Sequence, residues 1–183
     1  MDALRSPWDP ANFLEIIRQE RHCGNVTLGV VPLEMPLPAV DACNLVVRAV
    51  GLEPLEGFWI SIPGTAARLH LVRCLHRDLS YSIECMPKAR AEELAETFFS
   101  RFGDGSLQFF TNRLPWRPSV YERAAEGRQS GIVVIREDEV EELGWGQTDG
   151  PWTYSGLTKS TFDSGLVVVD SRQAGILWFE DED

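Results

Sequence analysis

His70, Cys74 and His76 place three side chains that can ligate a metal within seven residues. On a β-strand all three would project to one face, and a set of two nitrogens and one sulfur suits zinc. A half-buried strand with leucines on its other face explains the same pattern without a metal, and neither a fourth ligand nor a second shell is evident. We therefore predict no metal site. These three residues are the first candidates for a site if the protein is an enzyme of an unfamiliar type.

Other patterns that carry chemistry are incomplete. His22 and Cys23 are adjacent, and adjacent residues rarely face each other in regular structure, so they do not form a nucleophile pair. Residues 155–161 end in Lys-Ser-Thr, as a phosphate-binding loop does, but they lack the glycines whose amides surround a phosphate. The acids show no spacing that argues for a catalytic pair of carboxylates. We predict no catalytic residue and no cofactor.

The negative charge is concentrated in the second half of the chain. Residues 1–90 contain ten acids and nine bases, whereas residues 91–183 contain eighteen acids and eight bases, so the net charge of −11 divides into −1 and −10. Binding to nucleic acid or to anionic lipid requires clustered Lys and Arg, and the bases here are scattered. We predict neither direct nucleic-acid binding nor membrane binding.

Acids and large aromatic residues are interleaved in residues 129–183, which hold twelve acids and only three bases. Rigid aromatics are enriched in interface hot spots, and carboxylates speed the encounter with a basic surface. A solvated face and ordinary core packing explain the same residues without a partner, and core packing is favoured for Trp59 and Trp178. The predicted partner-binding residues are Glu139, Glu141, Glu142, Trp145, Asp149, Trp152, Tyr154, Glu180, Asp181, Glu182 and Asp183.

Apolar residues at helical spacing predict three main helices. The first opens at Asp9-Pro10, the second runs from Val40 to Val50, and the clearest runs from about Pro87 to Phe102. Capping patterns at 119–122 and 138–141 predict two short helices, of which the second is acidic and ends near Gly144.

Short apolar runs predict the strands. They lie at 26–31, 58–62, 107–111 and 132–135, and the last is a continuous β-branched run that predicts a strand covered on both faces. Residues 69–75 fit either a helix or a strand, but a turn at 76–78 and a second apolar run favour a hairpin. A hairpin is also predicted where 166–169 precede 176–179 across a glycine-containing loop.

These elements show no regular alternation of strand and helix, so they predict an α+β fold rather than a doubly wound sheet. No interior linker is evident. We expect one compact domain over residues 1–183, with a mixed or mainly antiparallel sheet, several flanking helices and a C-terminal β-hairpin.

Cysteine spacing and the start of the chain bear on its location. Cys23, Cys43, Cys74 and Cys85 show no close pairing, which predicts reduced and mostly buried thiols. The first residues lack the pattern of a secretory signal, and no apolar run approaches the ~20 residues of a membrane-spanning helix. These features predict a cytoplasmic protein.

In size and in the style of its ending, from Thr161-Phe162-Asp163 through Trp178-Phe179 to Asp183, the chain resembles bacterial immunity proteins that inhibit cognate toxins. The resemblance implies a basic protein partner and inhibition by occlusion, in which carboxylates pair with the Lys or Arg that a toxin such as a nuclease uses to hold phosphate. Two alternatives stay open. One is a self-associating interaction or scaffold domain such as a homodimer, and the other is an enzyme with an unrecognised site.

Overall fold

The structure, a computed structural model, describes residues 8–103, 105–115, 122–123, 129–145, 152–154 and 156–181. The helices in this part of the chain are α1 (Pro10–Glu20), α2 (Ala39–Ala49), α3 (Gly64–His76) and α4 (Lys88–Phe99). The strands are β1 (Asn25–Pro32), β2 (Trp59–Ile62), β3 (Gln108–Thr111), β4 (Arg113–Pro115), β5 (Ile132–Val134), β6 (Trp152–Tyr154), β7 (Phe162–Val169) and β8 (Gln173–Asp181). The predicted α+β fold is confirmed.

Local sequence signals set the ends of the helices. The carboxylate of Asp9 accepts a hydrogen bond of 2.9 Å from the amide of Ala11, and Pro10 is the first helical residue of α1. Just beyond α2, Gly51 adopts a φ of +81°, which a residue with a side chain rarely adopts. None of the helices in the described ranges is long and apolar enough to cross a membrane.

Residues 64–76 form helix α3, so the predicted hairpin at this place is wrong. The buried residues of α3 recur three and four positions apart, which is the spacing of one helical face. They are Ala66, Ala67, His70, Leu71, Cys74 and Leu75, with Val72 also buried. The helix packs on α4 and on strands β3 and β7. Residues 77–84 close into a loop with one isolated bridge, between Arg77 and Glu84.

The main sheet has six strands in the order β1-β8-β7-β3-β2-β5, and β4 and β6 form a separate pair. Every neighbouring pair is antiparallel except β2 and β5. The predicted C-terminal hairpin is confirmed, with Val169 opposite Ala174. Strand β5 lies at the edge of the sheet and leaves Val134 58% exposed, so the prediction that this strand is covered on both faces is wrong.

Both faces of the central hairpin are buried. Leu166 and Val168 of β7 pack with residues of α1, α3 and α4, whereas Val167 and Val169 pack with residues of α2. Strand β8 alternates in the same way. The continuous apolar runs of β7 and β8 follow from this arrangement, since a strand between two helical layers needs apolar residues on both sides.

A disulfide joins Cys23 to Cys85, with their Cα atoms 5.8 Å apart, while Cys43 and Cys74 are buried free thiols. The prediction of four reduced thiols is therefore wrong for this pair. The two residues meet because the segment that follows α1 runs beside the segment that precedes α4, where the amide of His22 donates to the carbonyl of Cys85 at 3.2 Å.

A buried ion pair fixes the end of β8. The guanidinium of Arg21 donates to both carboxylate oxygens of Asp181, at 2.8 and 3.1 Å, and also to the carbonyl of Cys74 at 3.0 Å. The carboxylate of Asp181 also accepts the amide of Leu79 at 2.7 Å. Because Asp181 is 3% exposed, its carboxylate does not have the exposure that the predicted partner-binding role requires.

We predict that Asp181→Asn lowers the free energy of unfolding by about 3 kcal/mol or more, because the substitution leaves the buried Arg21 guanidinium without its counter-charge. Urea unfolding followed by circular dichroism measures the effect. The control is Glu180→Gln, a neighbouring and only half-buried position, where we expect a change within about 1 kcal/mol. Equal effects of the two substitutions would contradict the structural role of the pair.

We also predict that the purified protein, denatured without reductant, takes up two alkylating groups per chain, because only Cys43 and Cys74 carry thiols. Mass spectrometry after iodoacetamide treatment counts the modified cysteines. The same treatment after full reduction should modify all four. Four modified cysteines without reductant would show that Cys23 and Cys85 are not bonded.

Candidate functional site

The residues that we call the acidic turn, 136–142, contain five acids and one base, a net charge of −4. The turn begins with a 3-10 helix at Glu137–Glu139 and ends before Gly144, which adopts a φ of +71°. The predicted short acidic helix is present at the expected place, in a tighter form. The turn directly follows β5, the edge strand of the sheet that pairs with β2.

Glu139 fastens the acidic turn from inside. Its carboxylate accepts hydrogen bonds from the guanidinium of Arg123 and from the amide of Arg136, each at 2.9 Å. The hydrogen bond from Arg123 is the main reason that the pKa of Glu139 falls to about 2. With 7% exposure, Glu139 is an internal support and lacks the exposed carboxylate that a partner-binding role requires.

Trp145 fastens the other end of the turn. Its side chain is 2% exposed, and its ring lies edge-on to the imidazole of His70 on α3, with ring centres 5.6 Å apart. Val140 and Leu143 are buried beside it in the same cluster. The predicted role of Trp145 as an exposed anchor therefore does not fit its position. Trp145 instead packs the acidic turn against the core.

The remaining acids of the turn, Glu137, Asp138, Glu141 and Glu142, are exposed. Asp138 lies 3.2 Å from the guanidinium of Arg136, and an exposed pair of this kind is worth little energy. Glu137 accepts a hydrogen bond of 2.5 Å from the hydroxyl of Thr65 in the first turn of α3. The turn therefore presents four carboxylates to solvent from a backbone held at Glu137, Glu139 and Trp145.

The second predicted acidic run lies elsewhere. The acidic turn contacts Thr65 near the start of α3, whereas Asp181 is joined through Arg21 to Cys74 near its end. Cys74 lies nine positions after Thr65 in α3, a rise of roughly 14 Å along the helix. The described residues of the two acidic runs therefore do not form one surface.

The other predicted partner residues lie partly within and partly outside the described residues. Glu180 is half-buried, and its carboxylate accepts the hydroxyl of Ser160 at 3.3 Å. Trp152 and Tyr154 are the first and last residues of β6, where they pair with Pro115 and Arg113 of β4. Asp149, Glu182 and Asp183 lie outside the described residues, as does the predicted helix start at 119.

His70 is the centre of a buried polar network that sequence reasoning missed. Its Nε2 atom lies 3.0 Å from the hydroxyl of Thr111 and 3.1 Å from that of Ser164. Ser164 in turn donates to the side-chain oxygen of Asn112 at 2.9 Å. The sequence signal was present in the one-turn spacing of His70 and Cys74, whose side chains lie 3.7 Å apart on α3.

The same helix separates His76 from the other two candidate ligands. The Nδ1 atom of His76 lies 2.7 Å from the carbonyl of Met86, on the loop before α4. Within the described ranges, no group of three or more His, Cys, Asp or Glu residues is arranged to hold a metal ion. His70, Cys74 and His76 were expected to share one face of a strand. They lie on helix α3 instead.

Burial sets the protonation states of this network. It lowers the pKa of His70 to about 3, with Arg113 and Arg73 adding to the effect, and it raises the pKa of the Cys74 thiol to about 11. At neutral pH the imidazole is uncharged and the thiol keeps its proton. Ser164 is 1% exposed, so its hydroxyl lies in the interior of the protein. The geometry supports a structural network rather than a nucleophile with its base.

Asp163 binds the backbone of the segment that ends in Lys-Ser-Thr. Its buried carboxylate accepts the amides of Leu157 and Thr158, both at 2.6 Å, and burial raises the pKa of this acid. The amides that a phosphate would need are thus already bonded to a carboxylate. The structure agrees with the prediction that this segment is not a phosphate-binding loop.

The chain matches no family model, and neither a curated protein nor a solved structure shows significant similarity to it.

We predict that stability falls by about 2 kcal/mol between pH 7 and pH 5 because of His70 alone. Its folded pKa of about 3 lies below the usual 6.5, so the unfolded chain takes up a proton in this range and the folded protein does not. Stability therefore rises with pH across the window. His70→Gln should remove this part of the slope in urea unfolding, whereas His22→Gln, at an exposed position, should retain it. An unchanged slope in His70→Gln would contradict the assignment.

Proposed function

We propose that the protein binds a basic protein partner through the acidic turn, as an immunity protein that neutralises a cognate bacterial toxin. The observation that carries this proposal is the division of labour within the turn. Glu139 and Trp145 are buried and hold its backbone, while four neighbouring carboxylates are exposed. A loop fixed in this way loses little conformational freedom when it binds.

The charge of the turn suits a partner rich in Lys and Arg. Carboxylates form charge-assisted hydrogen bonds with guanidinium and ammonium groups, and the four exposed carboxylates of the turn attract a basic surface before contact. If the partner is a nuclease, the residues covered in this way are those that hold phosphate. Inhibition then follows from occlusion, and it requires no catalytic group in this chain.

The predicted cytoplasmic location belongs to this proposal. The Cys23–Cys85 disulfide counts against a cytoplasmic location, because a reducing compartment keeps most thiols free. Alkylation of thiols at the moment of cell lysis, compared with the purified protein, reports the state of this pair in the cell.

A second candidate function, self-association, is favoured by the loop at 78–83. The carboxylate of Asp78 accepts the amides of Ile83 and Tyr81, at 2.7 and 3.2 Å, and Ser82 at the tip adopts a φ of +61°. This well-braced loop exposes 64% of Tyr81 and 61% of Ile83. Two such side chains facing a second copy would bury apolar surface in a homodimer.

We predict that Glu141→Lys/Glu142→Lys weakens capture of the partner at least tenfold, because it replaces two attractive charges with repulsive ones. The matched control is Glu53→Lys/Glu56→Lys, which makes the same change in net charge at two exposed acids outside the turn. Tagged proteins are incubated with native lysate, washed at increasing salt and analysed by quantitative mass spectrometry.

The expected result is one stoichiometric basic protein, lost with rising salt and retained by the control variant. Equal loss in both variants would show a non-specific effect of net charge and would contradict a site at the acidic turn. Light scattering of the purified protein distinguishes the second candidate, since a dimer that Tyr81→Ser and Ile83→Ser dissociate would support self-association.

A further inference from the structure

An open apolar groove of about 560 Å³ lies between the start of α3, the end of α4 and strand β3. Its apolar lining comes from Leu69, Phe99, Leu107 and Phe109. The rings of Phe99 and Phe109 meet edge-on, with centres 5.8 Å apart. Leu69 is 42% exposed although it belongs to a helix whose other face is buried. A contiguous apolar lining of this kind fits an apolar side chain.

Two described carboxylates lie next to this groove. Arg68 lines the groove and pairs with Glu96 of α4, so that these two charges balance. Thr65 also lines the groove, and it donates its hydroxyl to Glu137 of the acidic turn. Among these four residues, the charge that no ion pair balances is that of Glu137. The groove and the acidic turn are adjacent parts of one surface, joined by this hydrogen bond.

We propose that this groove receives an apolar side chain, Leu or Phe, that is flanked by Lys or Arg in the basic partner. The inference rests on the proposed function and adds the anchor to it. A free anionic amphiphile would meet the carboxylate of Glu137, and a neutral small molecule would make no use of the acidic turn. An apolar residue between basic neighbours uses both features. Anchors that fill a pocket while charges surround them are typical of interface hot spots.

Gly64 offers a direct test because it lines the groove. A Cβ atom at this position would lie 3.5 Å from the ring of Phe109, an ordinary contact. Gly64→Leu should therefore place its side chain in the groove without displacing backbone. The matched control is Gly105→Leu, which adds the same side chain at an exposed position where no atom lies within 4 Å of the new Cβ.

The probes are three short peptides with blocked ends, titrated into ¹⁵N-labelled full-length protein and followed by NMR. Their sequences are Lys-Leu-Phe-Lys, Lys-Gly-Gly-Lys and Gly-Leu-Phe-Gly. An extended tetrapeptide spans about 13 Å, enough to reach from the groove to Glu137 beside Thr65. We expect Lys-Leu-Phe-Lys to shift the amides of Leu69, Leu107 and Phe109 together with those of the acidic turn.

Lys-Leu-Phe-Lys should bind at least tenfold more tightly than either other peptide. Gly64→Leu should reduce its affinity to that of Lys-Gly-Gly-Lys, and Gly105→Leu should leave it within twofold. Equal binding of the two lysine peptides, with shifts only in the acidic turn, would overturn the anchor while the proposed function stands. Equal binding of Gly-Leu-Phe-Gly would overturn the basic occupant. Absence of binding by every peptide would overturn the groove proposal, and the lysate capture would still judge the function on its own.

Discussion

The buried ion pair of Arg21 and Asp181 is the contact on which the surrounding structure depends. A guanidinium inside a protein is tolerated only when its charge and its hydrogen-bond donors are satisfied, and Arg21 meets this condition through Asp181 and the carbonyl of Cys74. The bonds of Arg21 therefore require the end of α1, the end of α3 and the end of β8 to come together. Helix α3, held in this way at its C-terminal end, carries the groove and the support of the acidic turn near its N-terminal end.

The acids of this chain serve two distinct purposes. Asp163, Asp181 and Glu139 are buried and bind amides or guanidinium groups, so they hold loops and chain segments in place. Glu141 and Glu142, by contrast, are exposed and form no hydrogen bond of this kind with the described residues. A strongly negative composition therefore overstates the charge that is available to a partner. What remains is a smaller surface, but one whose backbone is already fixed by the buried group.

Much of the fold was predictable because local rules decide it. Asp9 and Pro10 specify the start of α1 through a cap and a fixed φ, and the runs of β7 and β8 specify strands covered on both sides. The sequence misled at α3, because Leu69, Leu71 and Leu75 also fit a strand. Of the site, the exposed carboxylates of the turn were predictable from composition. The burial of Trp145 and the Cys23–Cys85 bond were not, because both depend on segments distant in sequence that tertiary packing brings together.

The strand order places β7 and β8, the last two strands of the described residues, between β1 and β3. Strand β1 has β8 as its partner in the sheet, and β3 is joined to β1 only through β7 and β8. During synthesis, β1 and one edge of β3 therefore leave the ribosome before the strands that complete their hydrogen bonds, and the six-stranded sheet closes only after residues 162–181 have emerged. Contacts between such distant parts of a chain form slowly, since a long loop must close first. The edge of β1 and one edge of β3 thus have no strand partner until β7 and β8 have been made.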